Sequence, residues 1–144
     1  CRAYGITHPT TFCYPGYRNG PAAVEVLRDR GFAFARRGTD PEFTYNGEGG
    51  RGPAYDPTYH DPLLVPTTGA AGPAYSLDDF KWSVDQATKG QVCVLTYHGV
   101  PDLDHAWVHV DPDEFTTHMR YLQENACTVI ALRDLARYVP SACL

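Results

Sequence analysis

The sequence has no stretch of apolar residues that approaches the ~20 needed to cross a bilayer. It also has few basic residues, with 12 Lys and Arg against 17 Asp and Glu and a formal net charge of −5. A surface that binds nucleic acid needs concentrated positive charge, and this chain does not supply it. We therefore expect no membrane span and no nucleic-acid partner.

Paired cysteine motifs are also missing. None of the five cysteines forms a CxxC pair, and an odd set is neither a zinc-finger spacing nor a disulfide framework. Cys93 and Cys127 lie in apolar segments, which favours small core residues over reactive thiols. The full set is Cys1, Cys13, Cys93, Cys127 and Cys143.

What the sequence does contain is typical of one folded domain. It has 144 residues, of which 43% are hydrophobic and 12% aromatic, enough for one real core but not for two. Helix start and stop signals bracket three segments and, more weakly, a fourth before Pro140. The helical segments are AAVEVLRDR (22–30), FKWSVDQATK (80–89), FTTHMRYLQEN (115–125) and LRDLARY (132–138).

Short apolar segments alternate with these helices. They are TTFCY (10–14), FAFAR (32–36), VCVLTY (92–97) and CTVIAL (127–132). Strands that alternate with helices predict repeated β-α units and a parallel sheet, so the fold class is α/β. The exception is the span 40–75, a long loop with six glycines, six prolines and four tyrosines, which we expect to be ordered and packed.

Three stretches stand at the expected carboxyl ends of strands, where reacting groups gather in parallel sheets. They are CYPGYRNG (13–20), RRGTD (36–40) and YHGVPD (97–102). Together TFCYPGYRNG and VLTYHGVPD, with the helix, strand and helix that follow, resemble the polysaccharide deacetylase family, or NodB homology domain. The resemblance covers residues 1–144 but only the C-terminal portion of that domain. It implies a partial (β/α) barrel of the polysaccharide deacetylase type, with parallel strands alternating with helices.

The resemblance also implies an activity. Members of the family remove N-acetyl groups from amino-sugar polymers with the help of a divalent, zinc-type metal ion. The family's aspartate pair and HxxxH segment, which supply the base and the metal ligands, are absent from this sequence. His105 and His109 have the same spacing but follow the last motif, so they bind metal only as an independent helical pair. We expect the missing N-terminal half of the domain to hold the metal and this chain alone to be inactive.

Individual residues take roles from the resemblance. His98 is the general acid that protonates the departing amine, and the turn at Gly16 and Tyr17 supplies a backbone N–H to the oxyanion. Tyr14, Tyr17 and Trp107 line the sugar site. A structural interpretation stands beside each assignment, because His98 and Tyr14 also suit a core and Trp107 also suits packing within its loop.

Two features of the family have no clear counterpart. Cys13 stands where many members carry the arginine that orients the catalytic carboxylate, and Arg36 or Arg18 is the expected substitute. The aspartate that tunes the acid histidine is assigned to Asp40, with two alternatives in the long loop, Asp56 and Asp61. Two other functions stay open: a non-catalytic carbohydrate-binding or structural module, and an amidohydrolase that acts on small cyclic amides.

Overall fold

A computed structural model describes residues 1–140 and shows a mixed α/β chain of short elements. The strands are β1 (Thr11–Cys13), β2 (Phe34–Arg36), β3 (Gly50–Arg51), β4 (Gly69–Ala70) and β5 (Leu95–Thr96). The α-helices are α1 (Pro21–Asp29), α2 (Leu77–Asp85) and α3 (Pro112–Glu124). Short 3-10 helices cover Arg2–Tyr4, Pro15–Tyr17, Pro62–Leu64, Ala106–Val108 and Leu132–Arg137. None of the described helices is both long and apolar enough to span a membrane.

The contacts divide the chain into two units. Unit 1 contains Cys1–Arg37, Pro57–Val65 and the C-terminal segment from Ile130. Its centre is a β-α-β unit in which β1 and β2 pair in parallel, with Cys13 opposite Arg36. Helix α1 connects them, beginning at Pro21 and ending before Gly31, whose φ of +74° is the left-handed value that favours glycine. This unit has the predicted parallel β-α-β order.

Unit 2 contains Gly38–Asp56 and Pro66–Val129. Its sheet has the order β3-β4-β5, with β3 and β4 antiparallel and β4 and β5 parallel. Helices α2 and α3 contribute Phe80 and Leu122 to its buried core. The other buried members of that core are Ala71, Tyr75 and Val110.

Several segments differ from the sequence patterns. Helix α2 ends at Asp85 instead of continuing to residue 89, and the last predicted helix is a 3-10 helix over Leu132–Arg137. The span 127–132, predicted as a strand, has no strand pairing among the described residues, and Leu132 already begins a 3-10 helix. Apolar composition favours a strand, but a strand forms only where its backbone finds a ladder partner. The span 40–75, read as loop, contains strands β3 and β4, and Gly52, Thr67 and Thr68 within it are fully or nearly fully buried. The barrel predicted from the resemblance stays a prediction.

The start of α2 has a capping box, as the spacing of Ser76 and Asp79 ahead of the segment 80–89 predicts. The Ser76 hydroxyl accepts from the Asp79 N–H at 3.2 Å, and the Asp79 carboxylate accepts from the Ser76 N–H at 3.0 Å. Arg51 Nε donates to the same carboxylate at 2.6 Å. Burial alone would raise the pKa of Asp79, but the hydrogen bonds from Ser76 and Arg51 outweigh it and lower that pKa. The carboxylate therefore stabilises unit 2 in its charged form.

We predict that Asp79→Asn lowers the free energy of unfolding by about 1 kcal/mol at pH 7, since the cap loses its charged acceptor. Because the folded-state pKa is lowered, the stabilisation is present above the unfolded-state pKa of about 3.9 and is lost as the pH falls below it. Denaturant unfolding should therefore show the gap between wild type and variant closing below about pH 4. Asp78→Asn, one residue away on the same helical turn, is the control. A similar loss in the control would contradict the capping role.

His118 on α3 is the one fully buried histidine among the described residues. Its ring stacks on Phe80 at 4.0 Å with an interplanar angle of 6°, and its Nδ1 is hydrogen-bonded to the Tyr97 hydroxyl at 3.0 Å. Within residues 1–140, Nε2 has no hydrogen-bond partner, and Glu114 Oε1 lies 3.9 Å away. Burial lowers the pKa of His118, so the folded state holds it neutral.

A histidine with a lowered folded-state pKa contributes stability above its unfolded-state pKa of about 6.5 and loses it as the pH falls. We predict that unfolding free energy drops between pH 7 and pH 5, and that His118→Gln makes this drop shallower. Glutamine keeps a polar group for Tyr97 but does not titrate. The exposed His8→Gln serves as control and should keep the wild-type slope. Equal slopes for His118→Gln and wild type would show that another group governs the pH dependence.

Candidate functional site

His98 follows strand β5 and its side chain is 55% exposed. Its neighbour Tyr97 packs against the core of unit 2. Successive side chains of an extended segment alternate between faces, which accounts for one ring facing inward and the next facing solvent. The structural interpretation of His98 as a core residue is therefore wrong.

A single carboxylate organises the residues after His98. Asp102 Oδ2 accepts a short hydrogen bond from His98 Nδ1, and Asp102 Oδ1 lies 3.0 Å from His105 Nδ1. Two backbone groups also donate to Oδ1, the His105 N–H at 2.9 Å and the Asp104 N–H at 3.2 Å. We call His98, Asp102 and His105 the His-Asp-His cluster.

The hydrogen bonds within the cluster keep the Asp102 carboxylate at its centre charged. Partial burial would raise the pKa of Asp102, but the hydrogen bonds from the His98 and His105 side chains and from the His105 backbone lower it to about 2. An ionised carboxylate only accepts hydrogen bonds, so each imidazole presents its Nδ1–H to Asp102. Nε2 of each ring is then the atom that is left to meet a substrate.

Gly99 lets Asp102 come this close. A Cβ at Gly99 would lie 2.7 Å from Asp102 Cβ and 3.1 Å from its Cα, closer than packed carbon atoms approach. His109 fixes the other side of the turn, because its Nδ1 accepts from the Asp102 N–H at 3.2 Å and Gly99 pairs with His109 in a parallel bridge. Hydrogen bonding and close packing thus hold the carboxylate in one position.

Trp107 continues the line of rings that begins at His98. The His98 and His105 rings are 5.1 Å apart, and the His105 and Trp107 rings are 5.2 Å apart, both in edge-to-face arrangements. Trp107 lies in the Ala106–Val108 turn and is 54% exposed. The indole is an apolar surface beside the cluster, as the assignment of Trp107 to substrate contact requires.

The turn predicted for the oxyanion lies in unit 1, after β1. Gly16 and Tyr17 both have left-handed φ values, +54° and +57°, and the Tyr17 N–H donates to the Tyr14 carbonyl at 3.0 Å. That N–H is engaged within the turn itself. Arg36 reaches this turn from β2, with a nitrogen in short contact with Cys13 Sγ and its guanidinium 5.5 Å from the centre of the Tyr17 ring.

Tyr14, predicted to contact sugar, is only 2% exposed and belongs to the core of unit 1. Its hydroxyl donates to the Leu63 carbonyl at 2.9 Å. Burial raises its pKa, with Asp61 adding to the effect. This placement favours the structural interpretation of Tyr14, in which the side chain closes the core beneath the turn.

Asp102, not Asp40, contacts His98. Asp40 is exposed and lies outside the His-Asp-His cluster. The two alternatives have contacts elsewhere: Asp61 forms an ion pair with Arg28 at 2.6 Å, and Asp56 accepts from Gln91 at 3.1 Å. The assignment to Asp40 placed the partner on another segment, whereas the chain supplies it four residues after His98.

The predicted residues thus fall into two groups, one in each unit. Unit 1 brings together Cys13, Gly16, Tyr17 and Arg36, and unit 2 brings together His98 and Trp107. The analysis of the sequence missed Asp102 and His105 as partners of His98. Two signals in the sequence point to these partners: Asp102 directly follows the Gly-Val-Pro turn, and His105 lies three residues later. At this spacing an aspartate side chain accepts hydrogen bonds from the backbone N–H groups that follow it.

The family's metal centre does not fit the residues present. His105 and His109 flank a 3-10 turn and do not stand as a helical pair, and His109 Nδ1 is used by the Asp102 backbone. Within residues 1–140, the only group of three or more donor side chains with metal-ligand spacing is the His-Asp-His cluster, which lies at the last motif.

No family model, curated protein or solved structure matches this chain.

We predict that Gly99→Ala separates Asp102 from His98, since the new Cβ takes the space that the Asp102 main chain occupies. A clash of this kind costs about 1–3 kcal/mol in stability. In proton NMR spectra, the low-field signals of the hydrogen-bonded imidazole N–H groups should shift or disappear. Gly50→Ala, whose Cβ would meet nothing within 4 Å, is the control and should leave them in place. Unchanged low-field signals in Gly99→Ala would show that the contact tolerates the methyl group.

Proposed function

We propose that this chain is the C-terminal part of a hydrolase that removes N-acetyl groups from amino sugars, with His98 as the general acid. The observation that carries the proposal is the His98 imidazole, which is exposed while its Nδ1 is held by the Asp102 carboxylate. Under this proposal the fold is the C-terminal portion of a (β/α) barrel of the polysaccharide deacetylase type.

An amine is a poor leaving group until it is protonated, and this is the task that His98 is placed to perform. A histidine with a pKa near neutrality donates a proton and recovers it at physiological pH. Asp102 fixes the ring orientation through Nδ1, so that Nε2 is the atom that carries the proton to be transferred. Asp102 is thus a positioning residue in this mechanism.

Trp107 supports a sugar as the substrate. Its exposed indole lies beside His105, and an aromatic face of this kind packs against the C–H bonds of a pyranose ring. The cluster and the indole together give a proton donor next to an apolar platform, an arrangement that suits an N-acetylated sugar.

The turn in unit 1 stays outside this proposal, because the Tyr17 N–H already donates to the Tyr14 carbonyl at 3.0 Å. The guanidinium of Arg36 lies against both Cys13 and Tyr17, and its role in place of the arginine of the deacetylase family remains a prediction. In hydrolases of this type a bound divalent ion would polarise the acetyl carbonyl and acidify a water molecule.

The test is acetate release from N-acetylglucosamine oligomers by the intact protein. We predict that His98→Gln lowers kcat by about 10²- to 10⁴-fold, the usual contribution of a general acid, with little change in KM. Asp102→Asn should also lower kcat more than it changes KM, because it releases the ring without removing it. His8→Gln, an exposed histidine of unit 1, is the matched control and should keep wild-type turnover.

If His98→Gln keeps full turnover, His98 is not the general acid. Two further results would replace the proposal with one of its alternatives. Turnover of cyclic amides but not of N-acetylated sugars would favour an amidohydrolase. Binding of the oligomers without any turnover by the wild type would favour a carbohydrate-binding module, for which the exposed Trp107 is the supporting observation.

A further inference from the structure

The His-Asp-His cluster has a second chemical capacity that acid catalysis does not use. Its three side chains each offer one donor atom, and these atoms all lie within 4.8 Å of one another. We propose that His98, Asp102 and His105 form a binding site for one first-row transition-metal ion of the zinc(II) type, distinct from the metal centre expected of the deacetylase family.

The donor set points to this class of ion. Two imidazoles and one carboxylate suit zinc, cobalt, nickel or iron(II), whereas calcium and magnesium prefer sites made of oxygen alone. Three protein ligands also leave a tetrahedral ion with one open position for a water molecule or an added ligand. The half-exposed rings give solvent and ions access to this position.

The distances require only a small adjustment. Ligands at about 2.0–2.1 Å from a tetrahedral ion lie roughly 3.4 Å from each other. His105 Nδ1 and Asp102 Oδ1 are 3.0 Å apart, His98 Nδ1 lies closer still to Oδ2, and the whole set spans at most 4.8 Å. Entry of an ion therefore lengthens the contacts between the histidine Nδ1 atoms and the Asp102 carboxylate by up to about an ångström. The cation replaces the protons that bridge these atoms, so each ring then carries its proton on Nε2.

The two rings that must move lie at the surface, and the Asp102 anchor is fixed. The His98 and His105 side chains are 55% and 45% exposed, so they rotate without disturbing the core. The Asp102 side chain is 10% exposed and is held by the Asp104 and His105 N–H groups, with its backbone bound to His109. Hydrogen bonds to a ligating carboxylate orient it toward the ion and strengthen binding.

The test measures binding directly and does not depend on the hydrolase proposal. The intact protein is stripped with a chelator, exchanged into chelator-free buffer and titrated with Co²⁺, whose visible absorption reports tetrahedral nitrogen and oxygen ligands. We expect one equivalent to be bound through the cluster. Asp102→Asn and His105→Gln should each weaken this equivalent at least about tenfold, since even the loss of an outer partner costs a metal site that much.

His8→Gln should bind Co²⁺ like the wild type, because that histidine lies in unit 1. Since a substitution in the turn can unfold it, the second measurement uses wild-type protein alone. Titration with Zn²⁺ should shift the imidazole nitrogen signals of His98 and His105 and leave those of the buried His118 in place. The proposal is overturned if both cluster variants bind Co²⁺ as tightly as the wild type, or if Zn²⁺ leaves the His98 and His105 signals unchanged. If His98→Gln loses turnover but the wild type has no Co²⁺ site, the hydrolase proposal stands and only the metal-site proposal is rejected.

Discussion

The convergence of two imidazoles and two backbone N–H groups on the Asp102 carboxylate is the interaction on which the candidate site depends. His98 and His105 are each about half exposed, so packing alone does not fix them. A charged acceptor with several donors removes that freedom, because hydrogen bonds to an ionised group are stronger than those between neutral groups. The same hydrogen bonds lower the pKa of Asp102, so the acceptor stays charged over the whole physiological range. The same hydrogen bonds therefore orient the two imidazole rings and keep the Asp102 carboxylate charged.

The turn that carries Asp102 is anchored at both ends in the core of unit 2. Tyr97 precedes it and packs beside Phe115 and His118, and Val110 follows it with 1% of its surface exposed. Between these anchors, Gly99 admits Asp102 and His109 binds its backbone. A polar cluster on a loop is precise only when the loop is tied to rigid elements, and here Tyr97 after strand β5 and the buried Val110 before α3 supply that rigidity.

Features governed by local rules were predictable from the sequence, whereas two features that depend on contacts between distant backbone segments or on close folding of the chain were not. Ser76 with Asp79 predicts the start of α2, and Pro21 with Gly31 predicts the bounds of α1, because capping depends on residues a few positions apart. The segment 127–132 is apolar enough for a strand, but strand formation requires a partner that composition does not reveal. Asp102 was not among the aspartates considered as partners of His98 in the sequence, for a related reason. The contact of Asp102 with His98 depends on how closely the chain folds back at Gly99, which is a matter of three-dimensional distance.

His98 and His118 show how one residue type acquires two roles within one unit. His118 is fully buried, stacks on Phe80 and shares a hydrogen bond with Tyr97. Burial disfavours its charged form, so it acts as a polar aromatic of the core and exchanges no proton near neutrality. His98 is the next residue after that same Tyr97, and the alternation of an extended chain turns it to the opposite face, toward solvent and a carboxylate. The position of Tyr97 therefore determines the environment of both histidines. Its ring packs against the core of unit 2 beside His118, and His98, the next residue, faces solvent.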